Sequence, residues 1–347
     1  MRYLPNFGRA FFATLILSLV AIFHPAAQQQ AKADWRSDVG IFRVGFVVEG
    51  DRAAHLARLE PFRLVLTDEL GIEVEFYPAP DAMALINAFT SARIEYAVLP
   101  AIGYALAEVA CKCIEPLVVP KAGDSTDGFH AVLIGRPGGP VSASELSGRT
   151  VASLDRESMT GHKLVMNLLV SEGLLASPES IGLHETASPS GAVESLIEGK
   201  ADALIGWSSL TGNPAEGYSR GTLRQINRLT QGRAPDYPVL WKSPQIPHHP
   251  HVVRRKLGGE AKRLLRDTLL NLYEDDALAY DAVEPVLGGG FAATRPDRFN
   301  MLVRFVDGMY KAPEPVTEPD GEKDPSDNTA VEDSLAEQPA VDGDHQK

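Results

Sequence analysis

Residues 72–99, IEVEFYPAPDAMALINAFTSARIEYAVL, place a strand, a helix and a second strand in direct succession. The first six residues alternate between apolar and charged or aromatic side chains, which is typical of a half-buried strand. Asp81 is suited to cap the helix that follows, where apolar residues recur at helical spacing. Residues 94–99 then form a short strand-like run before Pro100. Strands joined through a helix lie parallel, so this stretch predicts a sheet covered by helices.

The same alternation continues on both sides of this stretch. Upstream, residues 42–47 predict a strand, and Pro61 suits the start of a helix that stops at Gly71. Further strands are predicted at residues 117–119, 131–134, 150–154, 181–185 and 203–206. Further helices are predicted after Pro100, after a capping box at Ser142 and Glu145, after Ser158–Gly161, at 193–197 and at 264–272.

The strand–helix alternation falls into two units, the second beginning near Ser142. Two units of this kind predict an α/β protein with two lobes around a cleft. Each lobe is expected to be a mainly parallel sheet flanked by helices, and a hinge joins the lobes. Lobe 1 is predicted to be discontinuous, at 34–134 and 241–311, because the chain returns to it near Leu240 and Trp241. Lobe 2 is predicted at 135–240. Ligands of such sheets bind beyond the carboxyl ends of the strands, at helix N-termini.

The composition excludes several classes of protein. The chain has 347 residues, a formal net charge of −13, and 44% hydrophobic and 23% charged residues, as in a soluble globular protein. An acidic protein lacks the basic surface that nucleic acids and anionic membranes require. Two cysteines exclude a disulfide framework and a four-cysteine zinc site. We therefore expect no nucleic-acid partner.

Both termini differ from the body. Residues 1–33 carry two early arginines, an apolar run at 10–23 and the small-x-small sequence Ala31-Lys32-Ala33, which predicts a cleavable signal peptide and a periplasmic location. An uncleaved N-terminal anchor is the alternative. Residues 312–347 contain eleven acidic residues, two lysines and five prolines, which predicts a disordered, solvated tail. A docking role for this tail is the alternative.

Catalytic signatures are missing from the sequence. It contains no GxSxG, HExxH, P-loop or GxGxxG motif, so we predict no enzyme, no cofactor and no metal site. The glycine run at 288–290 is interpreted as a loop. The histidines at 248, 249 and 251 lie in a proline-rich segment whose spacing fits no known metal site, and we interpret it as a solvated loop.

The segment Ser158-Met159-Thr160-Gly161 lies between a predicted strand and a predicted helix. Two hydroxyl residues and a glycine at a helix N-terminus offer backbone and side-chain donors together with the positive end of the helix dipole. This combination suits a small oxyanion or a polyol. An ordinary N-cap is the alternative.

The chain resembles the periplasmic binding proteins for phosphate, phosphite and phosphonate over about residues 41–290. The matching pieces are FRVGFV at 42–47, ELGIEVEFYPAPD at 69–81, the strand–proline–helix run at 94–106, SELSGRTVASLDRESMTG at 144–161, EGKADALIG at 198–206 and VLWKSPQIPHHPHVVRRKL at 239–257. The resemblance implies a hinged, two-lobed protein of the type 2 solute-binding fold. It also implies a small oxyanion ligand, no catalysis, and an ABC permease as partner.

The pocket positions depart from that family's pattern. Ala82 stands where the phosphonate pattern has an aromatic residue, Leu99 where it has a tyrosine, and Trp207 where it has an acidic residue. Ser158, Thr160 and Gly161 match, with Met159 between them. A pocket with fewer polar partners makes the burial of a charged phosphonyl group costly.

The cysteines point to a branch of the same family. Cys111 and Cys113 could form a tight disulfide in an exported protein, or supply thiols to a soft element. The chain looks like the arsenite-sensing periplasmic proteins that regulate arsenite oxidase through a membrane sensor histidine kinase. That resemblance makes Cys113, with Cys111 as its partner, the candidate arsenic ligand. His130 and Glu49, near strand ends, complete the candidate ligand-binding residues.

Three functions therefore remain to be separated. The first is a monomeric periplasmic sensor that binds uncharged arsenous acid in the cleft and signals to a sensor kinase. The second is the substrate-binding component of an ABC transporter for phosphonate, phosphite or a related small oxyanion. The third, an exported enzyme, has no catalytic set in the sequence to support it.

Overall fold

The computed structural model describes residues 34–48 and 50–309. The predicted signal peptide, the predicted tail at 312–347 and the candidate residue Glu49 lie outside the described residues. Among the helices of the described residues, none combines the length and the apolar character that crossing a membrane requires.

The described part of the chain contains ten α-helices and twelve strands. The helices are α1 (Trp35–Val39), α2 (Arg52–Leu70), α3 (Ala82–Thr90), α4 (Ala101–Cys111), α5 (Leu164–Ser171), α6 (Pro189–Ile197), α7 (Thr222–Leu229), α8 (Gly259–Asp275), α9 (Ala277–Val283) and α10 (Asn300–Met309). The strands are β1 (Phe42–Val47), β2 (Val74–Ala79), β3 (Tyr96–Val98), β4 (Ile114–Ala122), β5 (Gly128–Gly135), β6 (Thr150–Ser153), β7 (Gly182–Glu185), β8 (Ala203–Ser208), β9 (Val239–Lys242), β10 (Ile246–Pro247), β11 (His251–Arg254) and β12 (Gly288–Ala293).

The strands form two sheets, and helices cover both. The first sheet has the order β12-β4-β11-β3-β1-β2 and packs against α2 and α8 on one side, where Phe62, Leu66 and Leu265 are fully buried. The second sheet has the order β10-β5-β8-β6-β7, with β9 paired to β5, and packs against α6 and α7. The predicted two-lobed α/β fold is confirmed.

The sheets are mixed rather than mainly parallel. Strands joined through a helix are parallel, as β1 is to β2 and β3, and as β6 is to β7 and β8. The segments that carry the chain between the sheets enter without a crossover helix. Consequently β5 and β11 run antiparallel to their neighbours. Strand β12 follows α8 and α9 and also pairs antiparallel with β4.

The chain crosses between the sheets after Ala122 and again between Pro247 and His251. Strands β5 and β9 therefore belong to the second sheet, whereas the predicted boundaries placed β5 in lobe 1 and cut through β9. An apolar strand does not reveal which sheet it joins, and this is why the sequence misplaced both boundaries.

The two crossings are tied together by one arginine. Both nitrogens of the Arg298 fork donate to the Asp127 carboxylate, at 2.7 and 2.9 Å, and one also donates to the Gln245 side chain at 2.9 Å. Asp127 lies in the first crossing and Gln245 precedes β10 near the second. We call this group the crossing clamp.

Three local predictions are wrong. Helix α2 begins at Arg52 rather than at Pro61, because the Asp51 side chain caps it and the proline is tolerated inside. The expected capping box at Ser142 starts only a short 3₁₀ turn. The glycine run at 288–290 lies in β12, where a Cβ on Gly289 would meet the Ala122 carbonyl oxygen at 2.2 Å, so the strand pairing itself requires glycine there.

Candidate functional site

A cavity of about 740 Å³ lies between the two sheets and is lined by residues from both. From the first sheet's side come Pro100 and Ala101, which follow β3 at the start of α4. From the second come Leu154 after β6 and Trp207 at the end of β8. The cavity thus lies beyond the carboxyl ends of parallel strands, where the sequence predicted the ligand.

The predicted Ser158–Gly161 segment forms one edge of the cavity. A π-helical turn (Met159–Lys163) leads directly into α5, and the Ser158 hydroxyl accepts the Gly161 N–H at 3.1 Å. The first N–H groups of a helix have no acceptor within it. Thr160 and Gly161 line the cavity. This edge offers a hydroxyl and a helix N-terminus to an anion.

Gly161 is required by close packing. A Cβ at this position would lie 2.7 Å from the Ser158 hydroxyl oxygen and 2.9 Å from Leu154 Cδ1. Because Leu154 also lines the cavity, a larger residue would displace both the cap and the cavity edge.

Three rings stand side by side along the second sheet's edge of the cavity. Phe129 lies 5.9 Å from Trp207 at 75° and 6.2 Å from His248 at 23°, between ring centroids. The strand order β10-β5-β8 places them in this sequence, since His248 follows β10. We call the three residues the aromatic wall. The Arg220 guanidinium lies 6.0 Å from the Trp207 ring centre.

Two histidines of the second crossing also face the cavity. His248 Nδ1 donates to the Pro120 carbonyl at 3.0 Å, and burial lowers the pKa of His248, which favours the neutral ring. His249 Nε2 is hydrogen-bonded to the buried Glu284 carboxylate. Burial would raise the pKa of Glu284, but the contact with His249 and the backbone N–H groups of Leu287 and Val286 lower it below its usual range.

His251 is fully buried behind this region. Its Nδ1 is hydrogen-bonded to the Tyr96 hydroxyl, and burial raises the pKa of that phenol well above its usual value. The phenol therefore keeps its proton and donates it to Nδ1. Burial lowers the pKa of His251 well below the usual range, so the imidazole is neutral. The predicted solvated loop is thus wrong for His251, which lies in β11, whereas His248 and His249 lie in the loop between β10 and β11 and are half-buried.

The structure brings some of the predicted residues together. Thr160, Gly161 and Trp207 line the cavity, while Ser158 caps the helix and Met159 packs against the core. Ala82 and Leu99 line a neighbouring cavity of about 640 Å³, which shares Pro100 and His249 with the main one.

Other predicted residues lie elsewhere. His130 sits beside Phe129 on β5, where alternate residues face opposite sides, and its Nδ1 donates to the Ser243 carbonyl at 2.8 Å. Cys111 and Cys113 are joined by a disulfide at the far end of α4. Since α4 starts at the cavity, its 11 residues separate the two cysteines from it by about 15 Å.

Several residues of the site were missed. Arg220, Phe129 and Glu284 carry no sequence motif, and only the fold brings them to the cavity. His248 and His249 did have a signal, since both lie in the quoted segment VLWKSPQIPHHPHVVRRKL that joins the sheets. Among residues 34–48 and 50–309, no group of three or more histidine, cysteine or acidic residues could hold a metal ion.

Comparisons with known proteins agree with this geometry. A family model described as the periplasmic substrate-binding protein of phosphonate ABC transporters matches residues 44–297. The protein XAC2383 of Xanthomonas citri bound to ATP has a similar structure, with a TM-score of 0.56, 20% identity, and coverage of 78% of this chain and 98% of that one. Its chloride-bound form gives a TM-score of 0.54, 20% identity, and coverage of 78% and 99%. Transferrin 1 of Manduca sexta gives a TM-score of 0.53 at 10% identity, with coverage of 78% and 46%.

Proposed function

Since the chain belongs to the family of periplasmic substrate-binding proteins of phosphonate ABC transporters, we propose that it binds a small phosphorus-containing anion between its two sheets and delivers it to an ABC permease. Proteins of this family bind substrates and are not enzymes. The observation that carries the proposal is the cavity itself. Residues from both sheets line it, and the helix N-terminus at Thr160 forms one edge.

The chemistry of that edge suits an anion. The Thr160 hydroxyl and its backbone N–H are donors at this edge, the Gly161 N–H being bonded to Ser158, and the helix dipole favours negative charge there. Arg220 adds a cation to the same cavity. A ligand held between the sheets contacts both, so it favours the conformation in which they approach each other.

The placement of the cysteines favours uptake over arsenite sensing. Both sulfurs are joined to each other at the end of α4 that is remote from the cavity. A thiol ligand for arsenic in the cavity would require residues from elsewhere. Arsenite sensing and the sensor-kinase partner stay predictions, as does the signal peptide on which a periplasmic location depends.

The test is calorimetric titration of the purified protein with phosphite, methylphosphonate, phosphate, ATP and arsenite. ATP is included because it is the ligand named for the X. citri structure. We expect micromolar binding of at least one phosphorus anion, equivalent to about −8 kcal/mol. Thr160→Val should weaken that binding about tenfold, because it removes a donor and keeps the shape.

The matched control is Thr268→Val on α8, whose hydroxyl donates to the Leu264 carbonyl away from the cavity. It should leave affinity unchanged. Binding of arsenite without binding of any phosphorus ligand would contradict the proposal and support the sensor. Equal effects of the two threonine variants would remove the helix N-terminus from the site.

A further inference from the structure

Most of the residues that line the cavity are apolar, whereas an inorganic oxyanion is polar over its whole surface. Trp207 is 38% exposed, whereas the other two tryptophans of the chain, Trp35 and Trp241, are 6% and 9% exposed. Exposed contiguous apolar surface marks a binding site in a folded protein. Trp207 therefore offers its ring to a ligand in the cavity.

The side chains that line the cavity from the first sheet's side are also largely apolar, apart from His249 and Glu284, which are hydrogen-bonded to each other. Ile102 in the first turn of α4 and the segment Val283–Leu287 line the cavity from the first sheet's side. Val286 is 77% exposed. An anion at Thr160 would leave both apolar faces in water, whereas a ligand with an apolar substituent would cover both.

The shape of the wall indicates a planar substituent. Phe129 stands nearly perpendicular to Trp207 and nearly parallel to His248, so the three rings present both faces and edges to the cavity. Aromatic groups pack favourably in stacked and in edge-to-face arrangements. The neutral form of His248 allows its ring to pack in this way without burying a charge.

The Arg220 guanidinium lies next to the aromatic wall. Arg220 lies over the Trp207 ring, and among the residues that the structure describes it forms no ion pair with a carboxylate within 4.0 Å. It also lines a smaller groove together with Trp207, Arg224 and Arg228. Arg220 is therefore available to an anionic ligand that lies along the wall.

We propose that the ligand is a phosphoryl anion carrying an aromatic substituent, whose ring lies against Trp207 and Phe129. This inference rests on the proposed function and adds the substrate class. A volume of about 740 Å³ falls within the range of about 300–1,000 Å³ for sites that enclose drug-sized ligands. The phosphoryl group is either a phosphonate or a phosphate ester, and the two share this chemistry.

The experiment is titration of the purified protein with phenylphosphonate, phenyl phosphate and methylphosphonate, by calorimetry and by tryptophan fluorescence. We expect phenylphosphonate or phenyl phosphate to bind at least tenfold more tightly than methylphosphonate, and the stronger of the two identifies the source of the phosphoryl group. Ring stacking on Trp207 should change the fluorescence, and methylphosphonate should change it much less.

Two variants of Trp207 separate stacking from folding. Trp207→Ala should abolish the preference, so that the phenyl ligands bind no more tightly than methylphosphonate. Trp207→Phe keeps a ring and should retain most of the preference while losing the fluorescence change. Leu64→Ala, at an exposed apolar residue on α2 outside the cavity, is the control and should change neither the preference nor the fluorescence.

The outcomes distinguish this inference from the function on which it rests. Equal or tighter binding of methylphosphonate, or an equal loss for all ligands in Trp207→Ala, would overturn the aromatic substrate class and keep the phosphorus-binding function. Failure of all three ligands, together with phosphite and phosphate, would overturn both.

Discussion

Gly161 shows how one residue can define a binding edge. It provides the N–H that the Ser158 hydroxyl accepts, and its missing side chain leaves room for Leu154 at the cavity. The second sheet contains a matched case at the start of α6. There the Ser188 hydroxyl accepts the Gly191 N–H at 3.1 Å, but a Cβ on Gly191 would lie 3.5 Å from its nearest neighbour.

Gly161→Ala should lower the affinity for the phosphorus ligand about tenfold, or about 1.4 kcal/mol, because the new methyl group displaces the Ser158 cap and Leu154. Gly191→Ala should leave affinity within twofold, since its Cβ fits at ordinary contact distance. Calorimetry on both variants measures the difference. Equal affinities would place the anion away from this helix N-terminus.

His251 should make stability depend on pH. Its pKa in the folded protein is lowered by burial, whereas in the unfolded chain it is about 6.5. Below that value the unfolded state binds a proton that the folded state does not. The free energy of unfolding should thus fall as the pH falls from 6.5 towards 5.5, with a slope of up to about 1.4 kcal/mol per pH unit from this residue.

Urea denaturation between pH 5.5 and 8 measures that slope. His251→Asn should flatten it, because the titrating group is gone. Tyr96→Phe should lower stability but keep the slope, since it removes the hydrogen bond and leaves the imidazole buried. A slope that persists in His251→Asn would assign the effect to another group, such as His248, whose pKa burial also lowers.

Among single residues, the sequence predicted the site residues that belong to a local pattern. It missed those that only the tertiary fold brings to the cavity. The Ser158–Gly161 turn was found because its strand–turn–helix context is contiguous. Arg220 and Glu284 belong to the cavity only through tertiary contact, which no spacing encodes. His251 was misread because two prolines nearby suggested a loop, whereas the residue lies at the start of a central strand.

Helix α2 illustrates the same limit at the scale of elements. Its helical periodicity was visible, but Pro61 suggested a start one position before Phe62. The helix instead begins at Arg52, where the Asp51 carboxylate accepts the N–H groups of Ala53 and Ala54 at 2.9 and 3.2 Å. Burial of Leu59 and Phe62 keeps the helix continuous through the proline, at the loss of one backbone hydrogen bond.

Asp51→Ala should lower the free energy of unfolding by about 1 kcal/mol, the typical value of an N-cap. Asp68→Ala is the control, because it removes an exposed carboxylate from the last turns of the same helix without removing a cap. Urea denaturation should show little change for it. An equal loss in both variants would indicate an effect of charge rather than of capping.

The alternation of strands and helices was sufficient to predict the fold of the whole molecule. It was insufficient for the crossings, because β5 and β9 look like any other apolar strand until their partners are known. The antiparallel strands were missed for the same reason. Strand direction depends on the end of the sheet at which the chain enters, and a sequence pattern does not contain that information.

The crossing clamp should contribute to the stability of the whole molecule. Arg298→Ala should lower the free energy of unfolding by about 2 kcal/mol, because it leaves the half-buried Asp127 carboxylate without its charged hydrogen bonds. Arg298→Lys should recover only part of this, since an ammonium cannot reproduce the planar fork. Both are measured by urea denaturation.

Arg295→Ala is the matched control for the clamp. Its ion pair with Asp297 is well exposed on both sides, and such pairs contribute about 0–1 kcal/mol. A loss for Arg295→Ala as large as that for Arg298→Ala would mean that the crossings are not held by this contact.

The order of strands in the first sheet affects how the chain can fold during its synthesis. Strand β11 lies between β3 and β4, yet it follows the whole second sheet in the sequence. Residues 128–247 can assemble as a continuous unit, whereas the first sheet has a gap at its centre until residue 254 is available. During synthesis the N-terminal residues leave the ribosome first. All strands of the second sheet are therefore available before the first sheet can be completed. Until then, the edges of β3 and β4 stay unpaired and open to association with other chains.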